Sequence, residues 1–158
     1  MTKGKVYIET SVISYLTAKP SRDLIVAAQQ EITRNWWENE TAGYELFISQ
    51  SVLNEASAGD KEAANLRIQK LKDLSILDID NRVLELTKAI MASGIIPEKA
   101  GEDAIHISVA TVHKIDFLLT WNCKHIANAN INNQLRKIIN NIGYEMPVIC
   151  TPNELIGE

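Results

Sequence analysis

Apolar positions are most continuous between Gly101 and His125, GEDAIHISVATVHKIDFLLTWNCKH. From Ala104 to Val112 only His106, Ser108 and Thr111 interrupt them, which predicts a helix buried on most sides rather than a half-exposed amphipathic one. Lys114 breaks the run, and Ile115–Leu119 follows as a short apolar stretch of the kind buried on both faces of a parallel sheet. Asp103 falls in the first turn of the helix, where free N–H groups and the macrodipole favour a carboxylate. Asn122 and Cys123–His125 fall just past the strand, at the edge where open α/β sheets build ligand sites.

The same alternation runs through the rest of the chain. Lys5–Glu9 reads as a first strand, with Thr10 or Ser11 capping a short helix over Val12–Leu16. A loop at Ala18–Ser21 leads to a helix from Arg22 to about Asn39, with Ser21 as cap and Leu24, Ala28, Ile32 and Trp36 on one face. Tyr44–Ser49 is the second strand, Gln50–Ser57 a short helix carrying Glu55, and Lys61–Lys72 a helix capped by Asp60. Ser75–Ile79 is a third strand, and the helix opened by Asn81 ends near Gly94, which tolerates positive φ. After the central helix and strand come a helix over Ile126–Ile142, with Ile131, Leu135, Ile138 and Ile142 apolar, and a last strand at Pro147–Cys150. Thr151-Pro152-Asn153-Glu154 begins a final turn in capping-box form. Strands alternating with helices predict an α/β fold: a three-layer α/β/α sandwich on a parallel sheet of about five strands.

Composition narrows the function classes. The 158 residues suit one domain, spanning 1–158, with a full-sized core. Apolar (46%) and charged (23%) fractions are those of an ordinary globular chain, and a net charge of −4 argues against nucleic-acid binding through bulk electrostatics. The two cysteines, Cys123 and Cys150, make no C-x-x-C pattern, and with no secretory signal or membrane span they point to a reducing cytoplasm. Cys123 and His125 alone are too little for a zinc site.

Three acidic residues take equivalent places in this layout. Glu9 closes strand one, Glu55 lies on the short helix after strand two, and Asp103 opens the central helix. Strand C-termini of a parallel sheet share one edge, so the three converge there. Clustered carboxylates repel and persist chiefly around a cation, and all-oxygen ligation favours Mg²⁺ or Mn²⁺ over zinc. Plain surface charge remains open for Glu55, and a first-turn dipole partner for Asp103. Glu9 is harder to dismiss, because glutamate is depleted in strands.

The segments YIETSVISYL, VLNEASAG and EDAIHISVATVHKIDFLLTWNCKHIAN, in that order and spacing, resemble PIN-domain proteins of the kind found as VapC-type toxins of bacterial toxin–antitoxin pairs. The resemblance spans nearly the whole chain. It implies a Mg²⁺- or Mn²⁺-dependent endoribonuclease that hydrolyses RNA phosphodiesters, forms a homodimer and is held inactive by a small antitoxin protein. Its acidic quartet falls on Glu9, Glu55, Asp103 and Asn122 as metal ligands, with Glu9, Glu55 and Asp103 catalytic. Glu9 and Asn122 stand where the family carries Asp: Glu keeps the charge one methylene further out, and Asn keeps an oxygen without the charge. Thr10 and Ser11, as donors to water or phosphate, and Thr120, before the last quartet position, are supporting residues. His106, one turn after Asp103 on the same side, supports the site too or is a hydrogen-bonded core histidine.

A competing reading is a catalytically weakened PIN-fold module that binds nucleic acid or protein, for which the two departures speak. A phosphoaspartyl phosphatase or receiver domain ranks last. Those families need paired aspartates after strand one, where this chain has Glu9-Thr10-Ser11. The quartet reading carries a geometric expectation: all four side chains line one pocket at the carboxyl edge of the sheet.

Overall fold

The computed structural model describes residues 2–157. Strands β1 (Gly4–Ile8), β2 (Tyr44–Ser49), β3 (Ser75–Leu77), β4 (Phe117–Leu119) and β5 (Val148–Cys150) pair in parallel, in the order β3-β2-β1-β4-β5. Between them run α1 (Thr10–Thr17), α2 (Leu24–Asn39), α3 (Gln50–Ala56), α4 (Lys61–Leu71), α5 (Asn81–Ala92), α6 (Gly101–Val112) and α7 (Ala129–Ile142). The expected α/β sandwich is therefore found. Helix α1 packs with α2, α3 and α4, while α5 packs with α6 and α7.

The strand order decides where a site can form. The chain builds outward from β1 to β2 and β3, then returns to place β4 on the other flank of β1. Between β1 and β4 the winding reverses, and the connections leaving the two strands part and open a crevice at their carboxyl ends. Glu9 follows β1 and Thr120-Trp121-Asn122 follow β4, so both borders of the crevice carry predicted site residues. The flanking strand ends are held in register, since Glu9 N–H donates to the Leu119 carbonyl at 3.1 Å.

Burial follows the sequence pattern at the centre. Val6, Tyr7 and Ile8 on β1, and Leu118 and Leu119 on β4, are fully buried, as expected of strands covered on both faces. On α6, Ala104 and all of residues 106–112 are buried. Each fully buried Ile, Val or Leu there contributes about 1.5–3 kcal/mol.

Several local expectations are corrected. Helix α1 starts at Thr10 and its cap is Glu9, whose side chain accepts from Ser11 N–H, so neither Thr10 nor Ser11 is the cap. Helix α2 begins at Leu24 with Asp23 as cap, and Ser21 Oγ instead accepts from Asp23 N–H. Its buried stripe is Gln30, Thr33 and Trp36, leaving Leu24 87% exposed at the overhanging first turn. Gln30 is affordable there because its side chain bonds to Ser21 N–H and to the Lys19 carbonyl. Helix α7 begins at Ala129, capped by Asn128, because the chain from Asn122 first makes a turn of its own. Its core contacts are Leu135 and Ile139, with Ile142 exposed.

Candidate metal centre

Glu9 is the anchor of the crevice. It is only 5% exposed, yet it is a carboxylate, so its oxygens need partners. Oε1 accepts from Ser11 Oγ and Thr120 Oγ1, each at 2.5 Å, and Oε2 accepts from Ser11 N–H at 3.1 Å. The donors are themselves fixed: Ser11 Oγ accepts from Trp121 N–H at 2.8 Å, and Thr120 Oγ1 accepts from Asn122 N–H at 2.9 Å. Residues from both strand ends thus converge on one buried charge. With two lone pairs per oxygen, these three bonds leave one acceptor position open, on Oε2.

Glu55 projects from α3 toward the same point. Its Oε1 accepts from Thr10 Oγ1 at 2.7 Å and meets His106 Nε2 at 2.6 Å. His106 is fully buried on α6, and its Nδ1 lies 2.7 Å from the Tyr7 hydroxyl, which lies 2.7 Å from Ser49 Oγ. A polar file therefore runs through the core, Ser49–Tyr7–His106–Glu55. Ligand atoms of Glu9, Glu55 and His106 all fall within 4.8 Å of one another.

Asp103 and Asn122 meet through a residue not singled out as a site residue. His125 Nδ1 lies 3.0 Å from Asp103 Oδ2, and His125 N–H donates to Asn122 Oδ1 at 3.0 Å. Asn122 thus shapes the turn that presents His125, and His125 holds Asp103. Asp103 stands on α6 one turn before His106, close enough for its charge to raise the His106 pKa. Beside it, Glu102 accepts from the buried Ser51 Oγ at 2.5 Å, tying α6 to α3.

The predicted residues therefore divide. Glu9, Ser11 and Thr120 form one hydrogen-bonded group and Glu55, Thr10 and His106 a second, and the two meet with ligand atoms within 4.8 Å. Asn122 joins the Glu9 group directly, through its N–H to Thr120 Oγ1, and His125 links Asn122 to Asp103 at the border. Tyr7, Ser49, Glu102 and His125 were not foreseen. Tyr7 carried a weak signal, because a phenol in a fully buried strand needs a hydrogen-bond partner. So did His125, since Asn122 followed three residues later by a free N–H is a turn-capping arrangement. A cavity of about 630 Å³ lined by Lys114, Asp116, Tyr144, Glu145 and Pro147 lies at the opposite, amino edge of the sheet. It takes no part in this cluster.

Residues 6–130 match the PIN domain family. The chain belongs to it. The fold agrees with PIN-domain chains in two solved structures. One is VapBC2 from Rickettsia felis bound to a DNA fragment from their promoter, with a TM-score of 0.58, 17% identity, and coverage of 93% of this chain and 98% of that chain. The other is VapBC-1 from nontypeable Haemophilus influenzae, with a TM-score of 0.54, 12% identity, and coverage of 94% and 98%. No curated protein matches the sequence. No helix among the described residues is long and apolar enough to cross a membrane.

In this PIN domain the donor set fits a divalent cation. Ligand atoms sharing an ion at ~2.1 Å stand ~3.0 Å apart when adjacent and ~4.2 Å apart when opposite, and the three here, all within 4.8 Å of one another, need only small side-chain shifts to reach such a spread. Glu9 and Glu55 would hold the ion with Asp103 at the border, and Ser11, Thr120 and Thr10 orient the carboxylates.

Electrostatics couples Glu55 to His106. Burial pushes the Glu55 pKa up, but the His106 hydrogen bond and charge and the Thr10 hydroxyl outweigh it, leaving it below 4.5. Burial pushes the His106 pKa down, but the bond to Glu55 and the charges of Glu9, Glu55 and Asp103 outweigh that, leaving it above 6.5. Burial holds the Tyr7 hydroxyl far above its ordinary value, so it stays protonated. The stability from Glu55 is present above its unfolded value of 4.5 and lost as pH falls through its lower folded value. That from His106 is present below 6.5 and lost as pH rises through its higher folded value. Both contribute fully only between about pH 4.5 and 6.5. In metal-free protein, ¹H–¹⁵N NMR of the His106 ring should give a midpoint above 6.5 that falls in Glu55→Gln. An unmoved midpoint would mean that Glu55 does not control this histidine.

Proposed function

We propose that this PIN domain is a divalent-metal-dependent endoribonuclease acting as the toxin of a toxin–antitoxin pair. The observation that carries the reading is the meeting of Glu9, Glu55 and His106 ligand atoms within 4.8 Å, beside Asp103, in the crevice between β1 and β4. PIN-domain proteins are generally nucleases, and the VapBC structures that share the fold are toxin–antitoxin complexes. A bound Mg²⁺ or Mn²⁺ supplies an activated water and charge to stabilise a phosphoryl oxygen. The chain's own part is positional: Ser11 and Thr120 fix Glu9, Thr10 and His106 fix Glu55, and His125 fixes Asp103. A homodimer and a small antitoxin as inhibitor complete the proposal. Co-purification with the product of an adjacent small gene tests the antitoxin.

The second reading, a binding module with weakened catalysis, is favoured by Asn122, whose amide brings no charge and whose oxygen already serves His125. Affinity for RNA separates the two. The net charge is −4, and Arg67 spends its guanidinium on the Ala56 and Ala58 carbonyls. A nuclease of this composition binds RNA weakly without metal and with a shallow salt slope. Tight metal-independent binding favours the module. The direct test is cleavage of RNA by tag-free protein in Mn²⁺, in Mg²⁺ and in EDTA. Expected is cleavage that EDTA stops and added metal restores. Cleavage undiminished in EDTA, or none of any RNA in either metal, overturns the proposal.

A further inference from the structure

Resting on the reading that a divalent ion binds here, we propose that His106 is itself a metal ligand through Nε2, making the centre a two-glutamate, one-histidine site that prefers Mn²⁺ to Mg²⁺.

Position is the first argument. His106 is the one nitrogen donor within 4.8 Å of both carboxylates among the described residues, and its Nε2 points at Glu55 rather than into apolar packing. The second argument is its other nitrogen. A ligating imidazole needs its remaining N–H held by an acceptor, which fixes the tautomer and the ring plane. Nδ1 has such a partner in the buried Tyr7 hydroxyl at 2.7 Å. Tyr7 can accept because its own proton has somewhere to go, Ser49 Oγ at 2.7 Å. Neutral imidazole carries a single ring proton. An ion at Nε2 would displace the proton that this nitrogen shares with Glu55 and leave the one on Nδ1, so that the order of donation becomes His106 to Tyr7 to Ser49 and the Nε2 lone pair is free for the ion.

An ion would enter between Nε2 and Glu55 Oε1, now 2.6 Å apart. Adjacent ligands need ~3.0 Å, so the pair opens by roughly 0.4 Å. Glu55 can yield that much, being on the short helix α3 with its side chain 36% exposed. His106, fully buried, stays in place. The selectivity follows from the donor set. Imidazole suits first-row transition ions, whereas Mg²⁺ is best served by oxygen and water, and Mn²⁺ accepts both. A nitrogen in the set therefore raises Mn²⁺ affinity more than Mg²⁺ affinity.

The test is pulsed EPR of Mn²⁺ bound to tag-free protein, which detects a directly bonded nitrogen through its nuclear coupling. Three histidines make the assignment tractable. A His113→Gln, His125→Gln double variant retains His106 alone, so the readout does not depend on a buried substitution folding. Expected are a ¹⁴N coupling in wild type that becomes ¹⁵N on histidine-specific labelling, its persistence in the double variant, and its loss in His106→Gln. Equilibrium titration should place Mn²⁺ at least ~10-fold tighter than Mg²⁺, and Tyr7→Phe should weaken Mn²⁺ by roughly 10–100-fold while keeping the coupling. Bound Mn²⁺ with no histidine coupling, in wild type or in the double variant at Mn²⁺ concentrations that saturate it, overturns the assignment and leaves the metal-dependent reading standing. No Mn²⁺ binding at all overturns both.

Discussion

Glu9→Gln should destabilise the fold by about 1–3 kcal/mol and reduce RNA cleavage by roughly two orders of magnitude or more. The size of the effect comes from how Glu9 is held. Three donors address a carboxylate that is 5% exposed: Ser11 Oγ, Thr120 Oγ1 and the Ser11 backbone N–H. An amide offers one oxygen where the carboxylate offered two. With that oxygen toward the hydroxyls, its NH₂ confronts the Ser11 N–H, which cannot rotate. With the amide reversed, both hydroxyls must turn to accept, and their protons lose the acceptor they had. Ser11 Oγ and Thr120 Oγ1 stand 3.5 Å apart, so one can donate weakly to the other, but the second proton is stranded. Either orientation leaves a buried donor unpaired. Loss of the charge separately weakens the most buried carboxylate of the site. Urea unfolding in EDTA isolates the first effect, and cleavage at saturating Mn²⁺ the second. Unchanged stability would mean that the hydroxyls are not committed to this carboxylate.

The same residue marks how far the sequence could be read. Glu9 was legible because glutamate is depleted in strands and this one ends an apolar strand, and the strand-helix alternation sent Glu55 and Asp103 to the same edge. Strand β2 was bounded correctly because Tyr44–Ser49 is continuous and ends where Gln50 opens a helix. Strand order was not legible. Alternation fixes parallel pairing but not which strands become neighbours, and only the observed order shows that Glu9 and Thr120 border one crevice. Nor was the cap of α1. Thr and Ser are the preferred cap types, so Thr10 and Ser11 were chosen on propensity, whereas Glu9 takes the position because Ser11 N–H is one of its three donors. The file from Ser49 through Tyr7 to His106 joins β2, β1 and α6. The phenol in a buried strand signals that Tyr7 needs a partner, but the pattern within one element does not say which residue supplies it. For His125 the sequence offers a turn-capping Asn122 three residues before it, but its contact with Asp103 exists only once the turn after β4 is folded.

Asn122→Asp should tighten Mn²⁺ binding and raise cleavage, each by roughly 10–100-fold. The substitution is structurally quiet. The Asn122 oxygen accepts from His125 N–H, and aspartate makes the same bond, so the turn and the His125–Asp103 contact survive. What changes is charge. Glu9, Glu55 and Asp103 against one divalent ion leave a single negative charge, and a fourth carboxylate leaves two. With a second ion the present site would be net positive and the variant neutral, so the added charge acts most strongly on the weaker, second ion. Metal titrations of the variant should accordingly show that second ion at concentrations where wild type shows one. Asp103→Asn is the matched opposite: its amide oxygen can still accept from His125 Nδ1–H, yet the charge is gone, and both metal binding and cleavage should fall. The two variants move the site charge in opposite directions with the His125 bonds preserved, so opposite responses assign the effect to charge rather than to packing. Metal affinity and cleavage unmoved by Asn122→Asp, in a wild type that cleaves RNA well, would refute this account of position 122.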